Sequence, residues 1–328
     1  MKNFICFIVV MLSVTINSCT DSGVNTTYAP FEGTVYYNSV GYKDVWSVNS
    51  GGIKEIATNG RITSPPVSNT LLHLRYGTSG VNSLEIFNTE GMNPKSLVNS
   101  NSLLASLSPS GTKIVYFNPD PSDYKKTNFS VMNIDGSDKR IIDATAPQQN
   151  FLFSPDGSKI AYFKGESGDS LYIVNIDGTN AVFLIQERFI NSFDWSPDGE
   201  KIAYTNKMGK IGVANINTKE NLTLSEDATE KRFIKWLSDS KKIVYVYGNT
   251  VNRTKLHIQM LDTESNKTEN LVSSDKHLFA PQISPNGKSL LYLESKVLHL
   301  DGALKILNLS DLQTITIAEN AFIGFWQK

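Results

Sequence analysis

Apolar and polar positions alternate along most of the chain in short runs, each closed by a cluster of turn-forming residues. Between Asn150 and Gln186 the alternation predicts strands over residues 151–153, 159–163, 170–175 and 181–185. They are separated by Ser-Pro-Asp-Gly, by a loop at 165–168 and by Asp177-Gly178. A period of two is that of a half-buried strand, and Pro, Asp and Gly supply the φ values and local hydrogen bonds of tight turns. Four short antiparallel strands in some forty residues make the blade of a β-propeller.

The unit recurs. Phe153-Ser-Pro-Asp-Gly-Ser-Lys-Ile-Ala-Tyr162 returns forty-two residues later as Trp195-Ser-Pro-Asp-Gly-Glu-Lys-Ile-Ala-Tyr204. Weaker copies begin at Leu107, Trp236 and Ile283. In the Trp236 copy, Ser238 and Ser240 replace proline and glycine, so a different turn is expected there. The third strand has its own register, in seven copies that end at Asn49, Asn88, Ile134-Asp135, Ile176-Asp177, Ile216-Asn217, Asp262 and Asn308-Leu309. Two early units, around Val35–Tyr37 and Leu71–Leu74, keep the strand spacing without the turn. The last residues, Ala321 to Trp326, resemble the first strand Ile190 to Trp195, whereas the segment from Phe31 starts like a blade lacking that strand. The expected architecture is all-β: seven four-stranded blades, one of them completed by strands from both ends. Such closure would leave no open sheet edge at the seam.

The Ser-Pro-Asp-Gly-x-Lys-Ile-Ala-Tyr units resemble the PD40, or WD40-like, propeller repeats of the TolB-type family, also found in prolyl oligopeptidases. The resemblance covers residues 31–328 and implies a fold more than a function. TolB itself carries an α/β domain before the propeller, and nothing corresponds to it here, so a Tol-Pal role is not implied. Prolyl oligopeptidases carry a hydrolase domain with a Gly-x-Ser-x-Gly elbow, which this sequence lacks. Some relatives are oligogalacturonide lyases with a histidine-rich metal site. The four histidines here, His73, His257, His277 and His299, do not have ligand spacing. No cofactor or metal is therefore expected, and a glycan-binding or lyase-like propeller is kept as the alternative.

The amino terminus bears on location. Lys2 precedes an apolar run from Phe4 to Val14, too short to span a bilayer and typical of a signal-peptide core. Ile16-Asn-Ser-Cys19 resembles a bacterial lipobox, with Asn17 departing from the usual small or apolar residue. Residues 1–18 read as a lipoprotein signal peptide, Cys19 as the lipidated residue, and 19–30 as a polar tether. Only Cys6 and Cys19 occur, so the mature chain would hold no disulfide. The expected address is the bacterial cell envelope, lipid-anchored at the outer membrane and facing the periplasm or the surface. A formal net charge of −1 without a basic block argues against nucleic acid.

Asp135, Asp156, Asp177 and Asp198 belong to repeated turns, and Trp195, Trp236 and Trp326 to one repeated strand position; both sets read as structural. Function is expected where the repeat fails, on the face of second-to-third loops and blade crossings. Its longest loop is 118–126, with Tyr124, Lys125 and Lys126. The crossings supply Gln149, Asn150, Arg188, Phe189, Arg232, Phe233, His277 and Phe279. Arg and aromatic residues favour hot spots, so a non-catalytic propeller holding an envelope protein or peptide is expected.

Overall fold

The computed structural model describes residues 31–39, 41, 44–77, 81–100, 104–120, 123–144, 150–164, 170–248, 255–297 and 301–327. These residues form strands and turns without an α-helix. Their 27 strands arrange as five four-stranded sheets and one seven-stranded sheet. The larger sheet is two blades fused through one long strand, Thr314–Trp326. Its first half is the outer strand of blade 6, paired with Gly302–Asn308, and its second half is the inner strand of blade 7, paired with Val35–Ser39. Blades 1 to 5 begin with the inner strands Gly60–Ile62, Leu104–Leu107, Phe151–Phe153, Ile190–Trp195 and Lys231–Trp236, and blade 6 with His277–Ile283. The seven-bladed ring closed by both ends of the chain is thus present.

One irregularity counts the blades independently. Each third strand shifts register against its outer neighbour, directly after Val45, Leu84, Phe129, Leu171, Ile211, Ile258 and Leu304. Every one of these residues lies four positions before an Asn or Asp, and every one is at most 1% exposed. The Asn or Asp side chain shapes the following turn; Asn49 Oδ1 accepts the Gly51 amide at 2.8 Å, and Asn308 Oδ1 the Ser310 amide at 2.9 Å. A bulge at a fixed place adds twist, which splays the outer strand and gives the blade its propeller shape.

The first-to-second turns follow their glycines. Gly111, Gly157, Gly199 and Gly287 take φ between 69° and 75°. Ser240 takes φ 55° at the same place, contrary to the different turn expected, because its hydroxyl accepts the Asp198 amide of the neighbouring turn at 3.1 Å. That bond offsets a left-handed cost of about 1 kcal/mol. The turn aspartates are structural: Asp156 accepts the Ser154 hydroxyl at 2.5 Å and the Ser158 amide at 3.0 Å. These bonds pull its carboxyl down to about 2. Residues 118–120 and 123–126, expected as loop, are strand. Strands Lys113–Asp120 and Asp123–Asn133 continue as a hairpin, with residues 124–126 absorbed in a register shift where Pro119 faces Thr127.

Cores lie between blades rather than within them. Tyr37, Tyr116, Tyr162, Tyr204, Tyr245 and Tyr292 share one second-strand position and are all buried. Blade 1 has His73 there, 2% exposed, its ring tilted against Phe87 at 5.3 Å and with neither ring nitrogen hydrogen-bonded among the described residues. Burial, with Arg75 alongside, pushes this imidazole down to about 4, and the Glu85 carboxylate at 4.0 Å stands beyond hydrogen-bond reach.

At the seam, Val35 faces Trp326, Tyr36 faces Phe325, and the ladder continues to Ser39 and Ala321. Trp326 is 3% exposed and meets Phe31 edge-on at 5.8 Å. Gln327 N–H donates to Thr34 O at 2.9 Å. Deleting residues 321–328 should abolish the cooperative thermal transition, since losing Trp326 alone should cost about 3–5 kcal/mol of a total of about 5–15. Circular dichroism melting checks this; an unchanged transition would remove the closure. The His73 shift predicts acid sensitivity. The unfolded chain binds this proton from pH 6.5 downward and the folded chain only near 4. Stability is then complete above that window and falls by about 3 kcal/mol across it. Urea titrations at both limits should show the loss in the wild type and its disappearance in His73→Phe.

Candidate functional site

The inner strands of blades 4, 5 and 7 share one burial rhythm, in which the last residue and the one two before it are buried and those between are half open. Alternation puts Asp194 and Lys235 on the sheet face opposite the flanking buried residues, and Gln282 in blade 6 is half open too. Asp194 accepts the Lys235 ammonium at 2.7 Å and the Trp236 amide at 2.9 Å. Ser192 Oγ accepts the Ile234 amide at 2.9 Å, and Gln282 donates to Gly324 O at 2.6 Å. Side chains of one blade thus satisfy backbone amides of the next, which an inner strand facing a channel would otherwise leave open.

At the crossing-side mouth the backbone is strained. Phe189, Phe233, Ala280 and Asn320 all have φ between 46° and 58°, in four consecutive blades. Bulky residues rarely adopt this conformation, and such strain persists only where neighbours fix it. Register shifts follow at Ile190/Ser192, Arg232/Lys235 and Phe279/Gln282. Lys231 is the chief fixing element. It is 1% exposed, donates to Gly209 O, Asp227 Oδ1 and Thr229 O at 2.8–3.1 Å, and lies over the Tyr247 ring. Asn191 extends the tie by donating to Lys231 O at 3.0 Å.

On this frame sit aromatic rings and cations. The Arg188 guanidinium lies 5.7 Å from the Phe189 ring centroid, and Phe189 is 56% exposed. Arg232 lies 5.8 Å from Phe233, which meets Phe279 edge-on at 6.1 Å, and Phe279 stacks with His277 at 6.0 Å. The short blade 4 turn joins the same rim, because Lys207 N–H donates to Phe189 O at 3.0 Å. Asn206 Oδ1 accepts the Met208 and Lys210 amides, both at 3.0 Å, and Gly209 has φ 88°. This rigid turn presents Lys207 and a Met208 that is 64% exposed.

The candidate residues distribute unevenly. Arg188 and Phe189 occupy a crossing as expected, and Asn150 is exposed beside the blade 3 inner strand. Arg232, Phe233, His277 and Phe279 instead lie within inner strands, because the strands start earlier than the turn motif suggests. Phe279 is packed in a core at 7% exposure, so it supports the rim from below. Tyr124, Lys125 and Lys126 have strand backbone in the extended hairpin. Gln149, His299 and Cys19, with the whole of 1–30, lie outside the described residues. Lys207 and Met208 escaped a reading that looked for long loops. Their only signal was Asn206-x-x-Gly209, a turn that closes tightly.

The three described histidines do not meet. His73 is buried in blade 1, His257 bonds Ser273 on the blade 5 edge, and His277 begins the blade 6 inner strand. Among the described residues, no three His, Cys, Asp or Glu side chains converge to hold a metal ion.

Comparison with known proteins places the architecture. The sequence profile of the TolB beta propeller domain, PD40, matches residues 67–312. No curated protein matches the chain. TolB from Acinetobacter baumannii superposes with a TM-score of 0.57 at 17% identity, covering 91% of this chain and 67% of its own. An oligogalacturonate lyase in complex with manganese gives 0.64 at 11%, covering 87% and 83%. A puromycin hydrolase S511A mutant gives 0.67 at 14%, where this chain spans 89% of itself but 53% of the hydrolase. At these identities the likeness is one of fold. A TolB, a lyase and a hydrolase all share it.

The strain at the mouth has a measurable price. Phe189→Gly should stabilise the fold by about 1 kcal/mol, because glycine takes positive φ without penalty and the lost ring is largely solvent-exposed. Chemical denaturation measures it; a loss of stability would show that the ring, not the surrounding frame, holds the crossing.

Proposed function

This chain belongs to the TolB β-propeller domain family, and from that premise we propose a non-catalytic, lipid-anchored propeller of the bacterial cell envelope that holds a protein or peptide at its crossing-side mouth. The observation that carries the reading is the exposed Phe189 ring under Arg188, held on a strained backbone in a frame fixed by buried Lys231. Preorganised aromatic and arginine side chains lower the entropic cost of binding and dominate interface energetics. At the mouth the left-handed conformation falls on two phenylalanines, Phe189 and Phe233, and such strain at exposed or half-open aromatic residues supports a binding role there.

The envelope address is supported by the apolar run from Phe4 to Val14 and by Ile16-Asn-Ser-Cys19, which would leave Cys19 as the acylated first residue. A single acyl chain binds membranes marginally, so stable anchoring would require multiple acylation at Cys19. Export of a propeller without disulfides fits a fold whose stability comes from inter-blade packing. The separation of the histidines across blades 1, 5 and 6 favours binding over the metal-dependent lyase chemistry of a fold neighbour.

Three outcomes test the reading. Cys19→Ala should move the protein from the membrane to the soluble fraction on cell fractionation; unchanged partitioning removes the anchor. Arg188→Ala combined with Arg232→Ala should reduce partner recovery in cross-linked pull-downs without lowering the melting temperature; undiminished recovery puts docking elsewhere. Incubation with oligogalacturonides and divalent metal should yield no unsaturated product, and a product would replace this reading with the lyase alternative.

A further inference from the structure

The mouth of blades 4 and 5 is out of charge balance, and we infer that the partner docks there as an acidic peptide carrying an apolar side chain. The inference rests on the proposed docking at the crossing-side mouth and adds the chemistry of what docks.

Most acidic side chains around the mouth are already engaged, Glu226 opposite Lys210 being the exception. Glu187 pairs with Lys210 at 2.6 Å, and Asp227 pairs with buried Lys231 at 2.8 Å. Glu230 is 3.6 Å from Arg232 Nε, a loose contact that leaves most of the guanidinium uncompensated. Arg232 Nη2 is buried and has no hydrogen-bond partner among the described residues. A desolvated guanidinium nitrogen without an acceptor is costly, and a carboxylate is the group that satisfies it best, through paired N–H···O bonds. Arg188 and Lys207 are exposed and form no ion pair among the described residues. Three cations therefore face this sector with one loosely held carboxylate between them.

Between the cations lies apolar surface. Phe189 and Met208 are 56% and 64% exposed, and the Lys207 amide bond to Phe189 O joins their two segments. An exposed thioether beside an aromatic ring is an adaptable apolar contact. Cations around an apolar centre complement acidic residues that flank a hydrophobic one, giving anchor and orientation together. The turn and crossing are fixed by Asn206, Gly209 and Lys231, so the ligand meets a preformed surface. A bare polyanion would use the cations and leave the apolar centre uncovered. An uncharged apolar peptide would leave Arg232 Nη2 unsatisfied.

Fluorescence anisotropy with the full chain and a labelled peptide of alternating Glu and Leu tests this, alongside the Gln/Leu counterpart. The Glu/Leu peptide should bind about tenfold more tightly than Gln/Leu, and the difference should shrink in high salt. Arg188→Glu with Lys207→Glu should abolish the preference, and Phe189→Gly should weaken binding while the melting temperature holds or rises. Equal binding of the two peptides at this mouth would overturn the acidic specificity and leave the docking reading intact. Glu/Leu binding untouched by all three substitutions would overturn both. Failure of the Glu/Leu peptide to bind, or its full displacement by oligogalacturonide at matching affinity, would overturn the inference.

Discussion

The fold depends on one pairing, that of residues 321–326 with Val35–Ser39. Every other blade is built from consecutive strands, but none encloses its own core. Tyr204, for instance, packs with Phe163 and Ile185 of the preceding blade, and Tyr292 with Val246 and Ile258 of the blade before it. Each blade is stable because both neighbours are present, as in other repeat architectures. Without the seam, blades 6 and 7 would expose Val35, Tyr37, Leu291, Leu304 and Trp326, members of the cluster they bury between them. Closure converts a row of marginal sheets into one cooperative unit.

Much of that architecture was legible in the sequence because it rests on residues that repeat. The apolar residue four positions before each Asn or Asp marks the bulge, and Trp326 at the position of Trp195 and Trp236 marks the split blade. What could not be read depends on single exceptions. Ser240 turns like a glycine through a bond to a residue forty-two positions away. Pro119 looks like a breaker, yet it sits at a register shift near a hairpin end, where a missing amide costs little. Phe189 and Phe233 take left-handed backbone that neither residue type nor neighbours announce. Arg188 and Phe189 lie at a crossing as the repeat spacing implies, but Phe279 faces a core, and Lys207 and Met208 lie in a short turn that no long loop marks.

A division of labour follows. The face of regular turns is held by local hydrogen bonds such as those at Asp156 and Asp177, which settle the carboxylates into turn geometry. The opposite face carries the strained Phe189 and Phe233, the buried ammonium and the unpaired guanidinium nitrogen. Rigidity on one side lets the other depart from the repeat without unfolding. His73 stands apart from both, since in blade 1 it takes the place of the buried second-strand tyrosine and neither ring nitrogen is bonded among the described residues.

The shared strand Thr314–Trp326 also governs the order of events as the chain is made. Val35 and its partner Trp326 are 291 positions apart, so the first blade strand emerges long before its inner neighbour exists. Until then its free edge is open to wrong partners, and contacts of such long range form slowly. Blades 1 to 5 can stack as they appear, but blades 6 and 7 complete together, when a single strand zips both. The strand that makes the ring thus emerges after all the other described strands, and a holding factor acting on the nascent protein would have most to protect at Val35–Ser39.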